Sequence, residues 1–268
     1  MVAEGAGRIR IGVGGWNYEP WRGAFYPEGL PHKRELEYAS SKLTSIEIDS
    51  TYYGSKTPET FARWRDATPD DFVFAVKGSR FATNRRVLAE AAPSIERFFK
   101  SGVTELKGKL GPVNWQFATT KRFDPDDFGA FLSLLPRSVD GLAIRHAVEV
   151  RNDSFRTAEF VDLARGHRVA VVVAGDSRFP CIADLTAPFV YARAMGTTDA
   201  EKLGYSDDAL DVWANRARAW AKGGTASDLA AVGATAANDA GRDVFLYVIS
   251  GFKALNPAAA LSLIERLQ

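Results

Sequence analysis

Eight short apolar runs, spaced so that a helical pattern fits after each, constrain the fold of this chain more tightly than any single motif. They centre on Ile9–Gly14, Ser45–Asp49, Phe72–Lys77, Gly111–Gln116, Ala147–Arg151, Val169–Val173, Phe189–Arg193 and Val244–Ile249. Strands alternating with helices make βαβ units and a parallel sheet. Eight such units in about 250 residues is the arithmetic of a (β/α)8 barrel. The expected fold is therefore α/β, a single TIM barrel over residues 1–268, irregular in places, with a long aromatic loop after its first strand. Such barrels carry their chemistry at the C-terminal ends of the strands. The fold says where to look, and leaves the reaction open.

Composition narrows the classes further. A hydrophobic share of 46% and a charged share of 25% are those of an ordinary soluble globular protein. Thirty-four Lys and Arg stand against 33 Asp and Glu, a net charge of +1, so no global field draws nucleic acid or acidic membranes. Cys181 is the single cysteine, which rules out an internal disulfide. With no histidine near it in sequence, it reads as an idle thiol before a nucleophile. Met1 to Arg8 lacks the apolar core of a signal peptide, and no stretch approaches the roughly 18 apolar residues of a membrane span. No membrane partner is expected, and the cytoplasm is the expected location.

The connections carry their own signals. After the first run, Gly12-Val-Gly-Gly15 leads into a loop holding Trp16, Tyr18, Trp21, Phe25 and Tyr26. Its glycines let the chain leave the sheet sharply, and its aromatic rings either cover the barrel rim or wall a ligand. A helix is expected from His32 to Lys42. Thr57 caps another that Pro58 opens, and Asp124 and Ser206 begin two more. Arg86–Ser101 carries Val87, Leu88, Ala91, Ile95 and Phe98 at helical spacing, an amphipathic stripe. Gly223 to Gly241, rich in Ala, Gly and Thr, reads as a loop or a loosely packed helix at the bottom of the barrel.

Side chains two apart on a strand share a face. Glu47, Asp49 and Thr51 fall together by this rule, and so do Glu149 and Arg151. Facing such charges outward against the covering helices would cost several kcal/mol each, so they are expected toward the barrel mouth. Other strand ends add Lys77 and Arg80, one amide from the stretch Asn114-Trp-Gln116-Phe, Asp176 and Arg193. The same cluster could also be a structural ion network. Clusters of this kind at a barrel mouth more often mark a ligand site.

These stretches resemble the DUF72 family, also called YecE-like, of barrel proteins. The resemblance rests on Ile11-Gly-Val-Gly-Gly-Trp16 followed by Trp21-Arg-Gly-Ala-Phe-Tyr26-Pro, and on Glu47-Ile-Asp49-Ser-Thr51-Tyr-Tyr53. It continues through Pro58-Glu-Thr-Phe-Ala-Arg-Trp64, Phe72-Val-Phe-Ala-Val-Lys77, Lys109-Leu-Gly-Pro112 with Gln116-Phe, Glu149-Val-Arg151, Asp176-Ser177 and Tyr191-Ala-Arg193. It implies a barrel and carries no activity with it. Family members usually have Asn where Asp49 stands, which makes this mouth more acidic. Their last strand typically ends in an aromatic–Asn–Asn motif, where this chain reads Val248-Ile-Ser250-Gly-Phe252, so an amide pair is missing.

Several chemistries fit a mouth of this kind. The three histidines, His32, His146 and His167, are scattered and argue against a zinc site. Carboxylates alone would favour Mg or Mn if a metal is needed at all. Glu47 and Glu149 could flank a glycosidic bond, which needs carboxyl groups roughly 5 or 6.5–9.5 Å apart, with Trp16, Tyr18 and Trp21 stacking a sugar. Lys77 could form a Schiff base if its pKa were lowered.

The expected function is acid–base or hydrolytic chemistry on a small polar substrate, anionic or sugar-like. Glu47, Glu149 and Lys77 are the catalytic candidates. Trp16, Asp49, Tyr52, Gln116, Arg151, Asp176 and Arg193 are the candidates for binding. The alternative is binding of a nucleotide or nucleic-acid end without catalysis, through Lys77, Arg80, Arg85 and Arg86 with Trp16 and Tyr52.

Overall fold

The computed structural model describes residues 5–233 and 240–268. All eight apolar runs form strands: β1 Ile9–Gly14, β2 Ser45–Ile48, β3 Val73–Lys77, β4 Leu110–Gln116, β5 His146–Glu149, β7 Phe189–Ala194 and β8 Asp243–Val248. The sixth, β6, comes in two pieces, Ala170–Val171 and Val173–Gly175, parted by Val172. Every pairing in this sheet is parallel and joins chain neighbours, and β8 returns to β1. The first piece of β6 pairs with β5 and the second with β7, so the sheet closes through that interrupted strand. This is a TIM barrel.

Two apolar layers hold it. Inside, Val73, Ala75, Ala147, Val172, Phe245 and Tyr247 fill the axis. Outside, Trp115, Phe98 and Phe131 represent the larger layer between strands and helices. One irregularity sets the register of the site. The β3–β4 pairing shifts between Phe74 and Val76, where β4 carries Gly111 and Pro112. Proline has no N–H to give to a ladder, and an extra residue there makes a bulge. Beyond it, Lys77 pairs with Asn114.

Among the described residues, seven helices of eight or more residues cover the strands: α1 Glu35–Lys42, α2 Pro58–Asp66, α3 Ala92–Lys100, α4 Pro125–Leu134, α5 Ala158–Gly166, α6 Asp207–Ala221 and α7 Asn256–Leu267. Thr57, Asp124, Thr157 and Ser206 each accept a backbone N–H as N-caps. The stripe from Arg86 to Ser101 is not one helix. A short 3-10 turn at Leu88–Glu90 precedes α3, because Pro93 fits only the first turn of a helix and obstructs an earlier start.

The expected eighth helix is also absent. Residues 176–188 join β6 to β7 without one, in a stretch that contains Pro180 and Pro188. Ile182 and Leu185 cover the strands instead. The buried Asp184 carboxylate accepts the N–H groups of Val232 and Gly233, tying this stretch to the next αβ loop. Of the segment 223–241, residues 223–233 form turns and irregular chain. They are anchored by Leu229 on the core and by the Arg216–Asp228 ion pair at 2.6 Å. Residues 234–239 lie outside the described residues.

Candidate functional site

Strand alternation turns Glu47, Asn114, Gln116, Glu149, Tyr191 and Arg193 toward the upper part of the barrel axis. Their hydrogen bonds form one network. Arg193 bridges the two glutamates, its Nη2 donating to Glu47 Oε1 at 2.9 Å and its Nη1 to Glu149 Oε2 at 2.6 Å. Tyr191 donates its hydroxyl to Glu47 Oε2, and Asn114 Nδ2 reaches a carboxylate oxygen of each glutamate at 3.3 Å. Gln116 donates to both oxygens of Glu149 at 2.9 Å and accepts from Lys77 Nζ at 2.9 Å. Arg151 grips Glu149 Oε1 with Nε at 2.8 Å and Nη2 at 2.6 Å.

Depth divides this network in two. Glu47 and Glu149 have no exposed surface, and Arg193 keeps 2%. Burial, the largest single influence, raises the glutamates; the Arg193 charge is the largest opposing one, and only together with the other partners does it prevail. Lys77 and the Tyr191 hydroxyl add to that effect at Glu47. Arg151, Lys77 and the Gln116 amide add to it at Glu149, which falls to about 2. Both are ionised at neutral pH, and Arg193 is held charged by them against its own desolvation.

The upper edge behaves differently. Asp49, with 38% of its side chain exposed, stands 3.8 Å from Lys77 Nζ. Loss of surrounding water and the neighbouring Glu47 charge raise its carboxyl to about 7, with Lys77 and Arg193 opposing. Desolvation, then the Arg193 charge, lowers Lys77 despite the pull of the three carboxylates. Lys77 Nζ also lies 5.0 Å from the centre of the Tyr52 ring. Across the mouth, the Arg151 guanidinium lies 4.3 Å from the Phe179 ring.

Glu47, Lys77, Glu149, Arg193, Gln116, Arg151, Asp49 and Tyr52 thus come together. Two binding candidates do not join them. Trp16 packs edge-on to Trp64 of α2 at 5.1 Å and near Phe74, on the outer layer. Trp21 and Tyr26 are fully buried beside Phe25 and Tyr38, so the aromatic loop covers the rim. Asp176, at φ 54°, accepts Trp213 Nε1 of α6 at 2.7 Å and turns from the axis.

Thr51 does not share the face of Glu47 and Asp49. The strand stops at Ile48, Asp49 adopts helical dihedrals, and a helical turn follows at Ser50–Tyr53. From there the Thr51 hydroxyl donates to the Lys77 carbonyl at 2.7 Å. Sequence reasoning passed over Tyr191 and Asn114 as site residues, although each stands two places before a chosen residue and therefore on its face. Phe179 had no such signal, because only the helix-free crossover brings it to the mouth.

The Mg or Mn option does not fit this donor set. Arg193 occupies the space between Glu47 and Glu149, and among the described residues no three His, Cys, Asp or Glu side chains converge as cation ligands. His146 is a core residue. It accepts Trp115 Nε1 at 3.1 Å, its Nε2 lies 2.8 Å from the Pro136 carbonyl, and burial lowers it to about 4. A cleft of about 850 Å³ lined by Arg8, Arg10, Thr44, Asp71 and Lys222 lies at the opposite end of the barrel. Among the described residues, no helix is long and apolar enough to cross a membrane.

Comparison with known proteins agrees with this architecture. A DUF72 family protein from Thermotoga maritima is 20% identical, with a TM-score of 0.72 over 97% of this chain and 99% of that one. A second, from Enterococcus faecalis, is 18% identical with a TM-score of 0.69 over 97% and 98%. At such identities the likeness is one of fold. The UPF0759 protein YecE of Escherichia coli K12 is 27% identical over 142 residues, 52% of this chain and 48% of that protein. The match thus spans about half the length of the curated relative. The family model described as "Protein of unknown function DUF72" matches residues 10–268, from the first barrel strand through the last helix, and the chain belongs to that family.

Proposed function

We propose that the barrel mouth performs acid–base chemistry on a small polar substrate, with Asp49 and Lys77 as the proton-transferring pair. The observation that carries this reading is their juxtaposition, 3.8 Å apart at the open edge, with Asp49 raised to about 7 and Lys77 lowered. A general acid or base works best with a pKa near the working pH. In this reading Glu47 and Glu149 hold charge and do not exchange protons, since both are sealed and ionised. A glycosidic bond between them is disfavoured by the Arg193 guanidinium that joins them. Gln116 and Arg151 orient the substrate, and Tyr52 and Phe179 wall it.

The test is turnover of a panel of sugar acids, hydroxy acids and phosphorylated sugars by the protein and by Asp49→Asn. Asp49→Asn should lose about 100-fold or more in kcat, and the rate of the parent protein should follow a group titrating near 7. A variant that keeps full turnover overturns the reading.

A second reading, binding of a nucleic-acid end, draws on the exposed Tyr53 and Phe81 rings that flank Arg80 at 5.7 and 5.5 Å beside the mouth. Affinity for oligonucleotides that falls steeply with salt, as phosphate contacts require, would favour it.

A further inference from the structure

Lys77 and Arg151 keep donors that the network does not use. The ammonium of Lys77 has three N–H groups. One goes to Gln116 Oε1 at 2.9 Å, and Asp49 Oδ1 at 3.8 Å is beyond hydrogen-bond length. Arg151 commits Nε and Nη2 to Glu149, and among the described residues Nη1 has no partner. The two cations flank Gln116, which accepts from Lys77 and donates to the carboxylate that holds Arg151. Each lies on an aromatic ring, Tyr52 or Phe179, which fixes its direction.

We infer that this pair binds the oxyanion, carboxylate or phosphate, of the ligand, and that Asp49 takes up a proton as the anion enters. The inference rests on the mouth being the substrate site. Its basis is a charge balance. Glu47, Glu149 and Asp49 oppose Lys77, Arg151 and Arg193, three carboxyls against three cations, so the group is neutral while Asp49 is ionised. Protonated Asp49 leaves one positive charge for the anion to balance.

The groups facing Asp49 support this. Glu47 stands two residues before it, Lys77 on β3, Arg193 on β7 and Tyr52 on the turn that follows. From β1 and beyond β8 come Gly14 and Ile249, which carry no charge. A methyl group on Gly14 would come within 2.8 Å of Asp49 Oδ2, so this side offers the carboxylate no relief from a second negative charge. With Asp49 near 7 in the free protein, an entering anion raises it further, and by linkage the proton strengthens anion binding by the same factor.

The experiment is calorimetric titration with sodium sulfate, standing for a phosphate ester, and with sodium acetate, standing for a carboxylate. Neither probe titrates between about pH 6 and pH 8.5, so proton changes belong to the protein. Two buffers of different ionisation enthalpy, at constant ionic strength, count the protons. Affinity should weaken about tenfold per pH unit above neutrality, with uptake approaching about one proton per anion. The probe that binds more tightly names the oxyanion. Asp49→Asn should bind equally at both ends of the range and take up no proton, and Arg151→Gln should bind more weakly throughout.

Affinity independent of pH in the parent protein overturns the inference. So does proton uptake that persists in Asp49→Asn, or failure of the folded protein to bind either probe. Turnover combined with pH-independent binding leaves the acid–base reading standing without this one. Proton-coupled binding without turnover on any substrate does the reverse.

Discussion

Glu47 and Asp49 stand two places apart in the chain and differ entirely as acids. Glu47 is enclosed, and one guanidinium, one hydroxyl and one amide hold it ionised. Asp49 has no such set of partners, and the charge of Glu47 itself pushes it upward. Arg193 is the residue on which the sealed part depends. Removing one partner from a buried ion network leaves unpaired charge in a dry interior, at roughly 3–5 kcal/mol. Here two like charges would be left facing each other. Arg193→Met should therefore lower the urea-derived unfolding free energy by at least about that range. A loss within about 0.5 kcal/mol, the size of an ordinary surface substitution, would show that the network contributes little.

At the scale of elements, placement depends on a few local devices. The Gly111-Pro112 bulge sets the phase of β4, and with it the side on which Asn114 and Gln116 emerge. The helix-free crossover after β6 delivers Phe179 to Arg151. Capping sets where the covering helices begin. Thr157 Oγ1 accepts Phe160 N–H at 3.2 Å at the start of α5, and losing such a cap costs about 1 kcal/mol. Thr157→Ala should show that loss in chemical denaturation, while anion binding at the mouth stays unchanged because α5 supplies no group there. A change in binding would mean that the mouth depends on α5 more than its hydrogen bonds indicate.

For the whole molecule, the closed barrel makes the charged layer a single body. Glu149 lies at about 2, below the ordinary 4.5 for such a carboxyl. A depressed carboxyl stabilises the fold at pH values above its unfolded pKa and loses that contribution as pH falls toward the folded one. Glu47 shifts in the same direction. Unfolding midpoints should therefore decline as pH drops from about 4.5 to about 2, and Glu149→Gln should start lower at neutral pH and slope less. Parallel slopes in the two proteins would remove Glu149 as a source of the acid sensitivity.

The eight strands, their parallel order and the end of the barrel that carries charge were all legible in the sequence, because apolar runs and period-two alternation are local properties. Tyr191 and Asn114 were legible by the same rule. Which charges are sealed and which stay open was not, because depth along the axis depends on seven other strands, on the Pro112 bulge and on the rim packed by Trp21 and Tyr26. The turn at Asp49, the outward Asp176 and the arrival of Phe179 likewise depend on where distant backbone lies. Alternation determined the residues that face inward, and tertiary packing alone decided which of them can meet a ligand, since the availability of a charge depends on neighbours far away in the chain.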